Sequence, residues 1–332
     1  MRVDTVLPQH DLRQVPEAAR RVEAAGYDGI VSMENQHDPF LPLAVAATVT
    51  ERVELGTNIA ICFARSPMVA ANLGWDLQAA SRGRFSLGLG TQIRPHNEKR
   101  FSVPWSAPAP RIREYVLAVR AIWRCWGEGE KLDFRGEHYT FTLMTPAFTP
   151  PPLSTPAPRI TIAAVGPAML RVAGEVCDGV RLHPFCTRRY MDEVIGKRLA
   201  KGFALSDRRR EEFEISGGGF VATGATDEEV EKNAEAVRRR IGFYASTPAY
   251  WPVLEPHGLE DLGRSLNAMS KQGRWDDMTD AVPDDLLHLM CAIGRHDQLA
   301  AAIETRFGGA SDTVTVSTPL PPDLIQDLQR IR

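Results

Sequence analysis

The stretch Arg84-Phe-Ser-Leu-Gly-Leu-Gly-Thr-Gln-Ile93 decides the fold. Residues 84–91 read as a short buried strand, and two glycines close it. A doubly wound dinucleotide-binding sheet would continue as Gly-x-Gly-x-x-Gly, because the third glycine lets the following helix pack close to the strand. Here Gly88 and Gly90 supply the first two positions, and Ile93 stands where the third belongs. Without that fingerprint the run is one strand among others of its kind.

Working outward, three strand-like runs precede it, at 2–7, 29–33 and 53–60. Four follow, at 159–164, 179–183, 213–223 and 312–317. Helical patterns separate them. One runs from about Leu12 to Ala25 and stops at Gly26; another spans 41–50, and a third runs from Pro67 to Ser81. The pattern at 111–126 sets Tyr115, Val119, Ile122 and Trp123 on one face. Later helices fall near 167–177, 188–202, 227–245 and 297–307. Eight strands, each followed by a helix, predict an α/β fold of the (β/α)8 TIM-barrel type. The apolar strands suit a parallel sheet covered on its outer face.

A barrel of this type uses about 250 residues, and the chain has 332. The surplus predicts one domain over 1–332 with two insertion segments, near 141–158 and 245–290. The first carries prolines at 146, 150, 151, 152, 156 and 158, a density that excludes a helix or a central strand. The second is too long for an ordinary connection and predicts extra helices over one end of the barrel.

Composition narrows the partners. Lys+Arg 39 against Asp+Glu 42 gives a net charge of −3, which argues against nucleic acid. The arginine clusters 208–210 and 238–240 lie beside acidic residues and read as solvated helix faces. The 5 cysteines form no C-x-x-C pair, so they read as reduced thiols rather than a disulfide framework or a zinc site. No segment has the pattern of a signal peptide or a membrane span. The expectation is a cytoplasmic enzyme with a small-molecule substrate and no nucleic-acid or membrane partner.

In a barrel the chemistry sits where the strands end. Those positions hold His10 after the first strand, then Glu34, Asn35, Gln36, His37 and Asp38 after the second. Asn58, Cys62 and Arg65 follow the third; Thr91, Gln92 and His96 the fourth; Val165 and Gly166 the fifth; His183 the sixth. A metal hydrolase would draw on His10, His37 and His183, but no H-x-H or late carboxylate joins them. A retaining glycosidase would need a second carboxylate opposite Glu34, and strands four to seven end without one. An organic cofactor fits better. In Ala163-Ala-Val-Gly-Pro167 a strand ends and a helix begins, so backbone N–H groups there can hold a phosphate. Pro167 suits the first helical position.

These residues also carry a family likeness. The chain resembles the bacterial luciferase-like monooxygenase superfamily, and within it the coenzyme F420-dependent oxidoreductases. The matching pieces are Arg52-Val-Glu-Leu-Gly-Thr-Asn58, Arg82-Gly-Arg-Phe-Ser-Leu-Gly-Leu-Gly-Thr91, Arg113-Glu-Tyr115 leading to Ala121-Ile-Trp123, and Ile160–Gly179. The resemblance implies a deazaflavin, coenzyme F420, whose ring leans on a bulge in the third strand. It implies a cis peptide at Asn58–Ile59, a phosphate against Ala164, Val165 and Gly166, and His183 nearby. Glu34, Asn58, Ile59, Thr91 and Gln92 complete the implied cofactor contacts. FMN, which shares the ring shape and ribityl phosphate, is the alternative, with a luciferase-like monooxygenase as the matching activity. A barrel that binds a cofactor without catalysis is a third reading. The family further suggests a homodimer.

The sugar-phosphate dehydrogenases of the superfamily have an acid–His pair after the second strand and a glutamate after the fourth. Asn35, Gln92 and Ile93 occupy those places here, and none acts as a general acid or base at neutral pH. His37 or His96 is therefore the expected proton donor, with Glu34 as the acidic residue of the site. Arg65, Arg94 and Arg188 are candidates for the acidic tail of a deazaflavin.

Overall fold

The computed structural model of the chain describes residues 1–331. Its strands begin with β1 (Arg2–Val6), β2 (Gly29–Ser32), β3 (Glu54–Thr57), β4 (Ala60–Ile61) and β5 (Phe85–Gly90). A small antiparallel hairpin, β6 (Phe134–Arg135) and β7 (Thr140–Phe141), leads into the proline-rich excursion. Then come β8 (Arg159–Ala164), β9 (Gly179–Leu182), β10 (Glu214–Gly217), β11 (Phe220–Gly224), β12 (Cys291–Arg295) and β13 (Thr313–Thr315). Hydrogen-bonded neighbours run β3-β2-β1-β13-β10-β9-β8-β5-β4, and β3 also pairs with β5, so the sheet closes on itself. Because β3 and β4 share one place in the ring, the closed sheet is the eight-stranded parallel (β/α)8 barrel that the strand count predicts.

Side-chain alternation explains what holds the ring together. Along β5, Phe85, Leu87 and Leu89 point outward into one buried cluster with Val119, Ile122 and Trp123 of the helix Pro108–Glu128. Leu55, Ile160, Ile162 and Val180 do the same from neighbouring strands. Each such side chain contributes about 1.5–3 kcal/mol on burial, so the core is chiefly this layer between strands and helices. The alternate positions, Ser86, Gly88 and Gly90 on β5 and Asp4, Thr161, Arg181 and Thr313 elsewhere, face the barrel axis. The interior is thus small and polar, whereas barrels of this class commonly fill it with Val, Ile and Leu.

Two expectations about elements need correction. The run 213–223 is two strands, because Gly217 (φ 82) and Gly218 (φ 102) take left-handed backbone that no ladder accommodates. β10 stays in the barrel, while β11 leaves it to pair in parallel with β12, a strand that the sequence pattern does not predict. The helix expected at 188–202 is broken: a short turn at Arg188–Tyr190 and a wide turn at Met191–Ile195 precede the regular helix Gly196–Ser206.

The excursion 141–158 is irregular apart from a short turn at Pro146–Phe148, and it lies on the helix Pro67–Ala80. Trp75 Nε1 donates to Pro151 O (3.1 Å) and Gln78 Nε2 to Pro156 O (2.8 Å). The segment 245–290 folds into short helices after Asp227–Ala245. Most of the clustered arginines are ion-paired, as Arg208 is to Asp178 (3.3 Å), Arg210 to Asp312 (2.9 Å) and Arg238 to Asp284 (2.6 Å). All five cysteines are free and buried. Among the described residues no helix is long and apolar enough to cross a membrane.

Candidate active site

At the carboxyl end of β3 the backbone bulges, and the Asn58–Ile59 peptide bond within the bulge is cis. The neighbouring segments hold it on both sides. Asn58 N donates to Ser32 O at 2.7 Å, and Glu34 N donates to Ile59 O at 3.2 Å. On the other side, Thr57 Oγ1 donates to Gly88 O (2.6 Å) and accepts from Gly88 N (2.9 Å). A Cβ on Gly88 would run into Thr57 O, and one on Gly90 into the Ile59 side chain. The paired glycines of β5 are therefore there to admit the bulge.

Glu34 supports the same bulge. Its Oε2 accepts from Ile61 N (2.7 Å) and from Arg65 Nη1 (2.6 Å), and its side chain is only 8% exposed. Arg65 also donates to Ile61 O (3.0 Å) and to Asp38 Oδ2 (3.0 Å). Burial alone would lower the Arg65 pKa; the Glu34 and Asp38 carboxylates outweigh it and raise it. Asp38 Oδ1 in turn accepts from Phe40 N (2.8 Å), which starts the helix Phe40–Ala47. The carboxylate expected as the acidic residue of the site is tied into the scaffold.

The loop after β5 is shaped by a residue that sequence reasoning passed over. Asn97 is fully buried and donates through Nδ2 to Thr91 O (2.9 Å) and Ile93 O (3.1 Å). It holds Thr91 and Gln92, both half-buried, at the rim, with Gln92 in left-handed backbone (φ 57). Arg100 Nη2 reaches Asn35 O (2.5 Å) and joins this loop to the one after β2. His37 and His96, the expected proton donors, are both exposed on these joined loops. His10 is exposed as well, while its neighbour Gln9 donates to Ser32 Oγ (2.7 Å) and Met33 O (2.6 Å).

Across the barrel mouth, the ends of β8 and β9 come together as expected. Ala164, Val165, His183, Phe185, Tyr190 and Val253 line a small, water-sized cavity, and Tyr190 Oη donates to Val165 O (3.0 Å). Gly166 caps the helix Pro167–Val176 with extended backbone and no side-chain cap, leaving its first N–H groups free for a ligand. A Cβ added at Gly166 would meet nothing within 4 Å.

His183 Nδ1 accepts from Phe185 N (3.0 Å), which leaves Nε2 as the ring's N–H donor. Its ring packs on Tyr244 (4.3 Å between centroids) and Tyr250 (4.7 Å), contributed by the end of a long helix and the segment after it. Burial, and then the charge of Arg240, lower its pKa to about 3, so it is neutral at physiological pH. The same covering segment is fastened by His257 Nε2 to Thr187 Oγ1 (2.8 Å). Arg306, buried and, among the described residues, without a carboxylate partner, donates to Cys186 O (2.6 Å) and Gly218 O (2.5 Å), joining the loop after β9 to the glycine turn after β10.

The three arginines expected as candidates for an acidic cofactor tail each have protein partners. Arg65 is in the Glu34–Asp38 pair, Arg94 binds Glu98 (3.1 Å), and Arg188 binds Asp192 (3.0 Å) and Gly308 O (2.8 Å). Among the described residues no group of three His, Cys, Asp or Glu is placed to hold a metal ion.

Comparison with known proteins identifies the family. A Mycobacterium tuberculosis protein, Rv1360, described as uncharacterized, is 50% identical over 314 residues, covering 95% of this chain and 92% of its own. From the same organism, the putative coenzyme F420-dependent oxidoreductase Rv3520c is 28% identical over 330 residues, covering 94% and 92%. The coenzyme F420-dependent tetrahydromethanopterin reductase from Methanopyrus kandleri superposes with a TM-score of 0.76 at 19% identity, covering 99% of this chain and 96% of that one. The sequence profile described as luciferase-like monooxygenase matches residues 1–313. The chain belongs to the luciferase-like monooxygenase family.

Proposed function

We propose that this protein is a coenzyme F420-dependent oxidoreductase that moves a hydride between the deazaflavin and a small organic substrate. The observation that carries the reading is the pairing of an uncapped helix N-terminus at Gly166 with the apolar wall of Ala164 and Val165 and the neutral ring of His183. That donor set suits a phosphate joined to a large, mostly uncharged ring. The bound deazaflavin would supply the hydride chemistry.

The chain's own groups divide the remaining work. Gly166 and the first turn after it hold the phosphate, and the bulge at Asn58 and Ile59 supports the ring. His183 Nε2–H is left available to donate a hydrogen bond to the cofactor without carrying charge. Tyr244 and Tyr250 exclude water from that side. Proton transfer falls to His37 or His96, because Glu34 is committed to Arg65 and Ile61. Since both histidines are exposed, the substrate enters over the loops after β2 and β5.

The test is fluorescence quenching with F420 and with FMN on wild type, Gly166→Ala and Gly166→Glu. A side chain at Gly166 points into open space, so both variants should melt like wild type. The carboxylate of Gly166→Glu should weaken cofactor binding by about tenfold or more through repulsion of the phosphate. Unchanged affinity in Gly166→Glu would remove the phosphate from this helix. The family description supports a second reading, in which reduced FMN and oxygen are used. Tight binding of FMN alone, with oxygen uptake, would replace the first reading by the second.

A further inference from the structure

The barrel interior beneath the bulge contains a charge cluster that the proposed chemistry does not use. Arg181 on β9 turns inward and donates from Nε to Thr161 Oγ1 (3.0 Å). Its guanidinium fits because residues 56 and 88 are glycines: a Cβ at Gly56 would lie 3.0 Å from Arg181 Nη2, and one at Gly88 2.8 Å from Arg181 Nε. Ser86 lines the same space, its own Cβ 3.8 Å from that Gly56 position. Asp4 on β1 faces inward against Gly29, where a Cβ would run into the carboxylate. Asp4, Ser86 and Arg181 are all buried. Among the described residues, Asp4 Oδ1, Ser86 Oγ and Arg181 Nη1 have no hydrogen-bond partner.

Three buried polar atoms from three strands without protein partners are what a buried water molecule needs, since such waters make about three hydrogen bonds to otherwise unsatisfied groups. We propose that the barrel interior below the bulge binds water through Asp4 Oδ1, Arg181 Nη1 and Ser86 Oγ, and that the burial of Asp4 in this cluster makes the barrel's stability pH-sensitive.

The charged groups facing Asp4 are Arg2 on its own strand, Glu54 on β3, Arg181 on β9 and Glu214 on β10. Glu54 pairs with Arg2 (2.7 Å), and Glu214 pairs with Arg159 (2.8 Å) and accepts from Thr313 Oγ1 (2.9 Å). Burial would raise the Glu214 pKa, but Arg181 and Arg159 outweigh it and keep it low, so Glu214 takes the ionised share of Arg181. Asp4 is the acid left over. Burial raises its pKa from the ordinary 3.8 to about 7, against the pull of Arg2 and Arg181. An acid whose folded pKa lies above its unfolded value stabilises the fold while protonated, and that stability is lost as pH rises from the unfolded value to the folded one. The window here is about pH 4 to 7.

The experiment compares urea unfolding of wild type and Asp4→Asn across pH 4–9, together with a high-resolution crystal structure. The ratio of unfolding constants, wild type over Asp4→Asn, should rise about tenfold per pH unit within the window and flatten above it, up to about a thousandfold in all. A ratio that does not change with pH overturns the switch. If Asp4→Asn fails to fold, carboxyl carbon-13 NMR of wild type replaces it, and an Asp4 carboxyl titrating below pH 5 has the same adverse meaning. The crystal structure should place water within hydrogen-bond distance of Asp4 Oδ1 and Arg181 Nη1. A direct Asp4–Arg181 contact with no water between them overturns the site.

Discussion

Replacing Arg65 by methionine is the most direct probe of how the fold holds the candidate site. Arg65 is 17% exposed and Glu34 8%, so their 2.6 Å contact is largely withdrawn from water, whereas the contact to Asp38, 38% exposed, is not. Breaking a fully buried pair by removing one partner costs about 3–5 kcal/mol, because the other charge is left buried alone. Glu34 would keep the Ile61 N–H bond, which places Arg65→Met near the low end, about 3 kcal/mol. With a urea m-value of about 3 kcal/mol/M for a chain of this size, the unfolding midpoint should fall by about 1 M. Glu34→Gln removes the charge but keeps an acceptor for Ile61 N, so the double variant should recover about 1–2 kcal/mol relative to the sum of the singles. The bulge is fastened by this pair, so affinity for the proposed cofactor should fall in Arg65→Met and partly return in the double variant. A single-variant cost below about 1 kcal/mol, with no coupling to Glu34, would mean that the pair behaves like a surface salt bridge and that the bulge is held by its backbone bonds alone.

Gly88→Ala should destabilise by about 3 kcal/mol or more, since its Cβ would meet backbone at Thr57 O rather than a side chain that can turn away; a chemical-unfolding midpoint like that of wild type would refute the packing argument for the paired glycines. His183, its pKa lowered to about 3, favours folding above the unfolded value of 6.5 and loses that contribution as pH falls from there toward 3. Nitrogen-15 NMR should show the His183 ring neutral down to about pH 4.5, and a midpoint near 6.5 would mean that Tyr244 and Tyr250 do not cover it in solution. The five buried cysteines should resist thiol reagents in the native state, because burial pushes the Cys186 thiol to about 11 and the Cys291 thiol to about 12; stoichiometric labelling without denaturant would count against the core packing.

What could be read from the sequence divides according to where each residue's role is set. The strands were legible because their outward faces are apolar by alternation, as Phe85, Leu87 and Leu89 show within one six-residue run. Residues at strand ends were placed correctly around the mouth, since topology alone puts Asn58, Thr91, Val165 and His183 there. The polar interior was not legible: Asp4 and Arg181 read as ordinary exposed charges until the glycines at 29, 56 and 88 show that space was made for them. The break between β10 and β11 was signalled only by Gly217-Gly-Gly219, and the pairing of β11 with β12 joins residues about seventy apart. Glu34 looked like a free acid because its partner Arg65 is 31 residues away. The histidines make the point most sharply. Four stood at strand ends with equal claims. Only His183 is withdrawn from water, because Tyr244 and Tyr250 return from a distant segment to cover it, while nothing covers His10, His37 or His96. The protonation state of His183 is thus set by the element that packs over it, which no residue near it in the sequence announces.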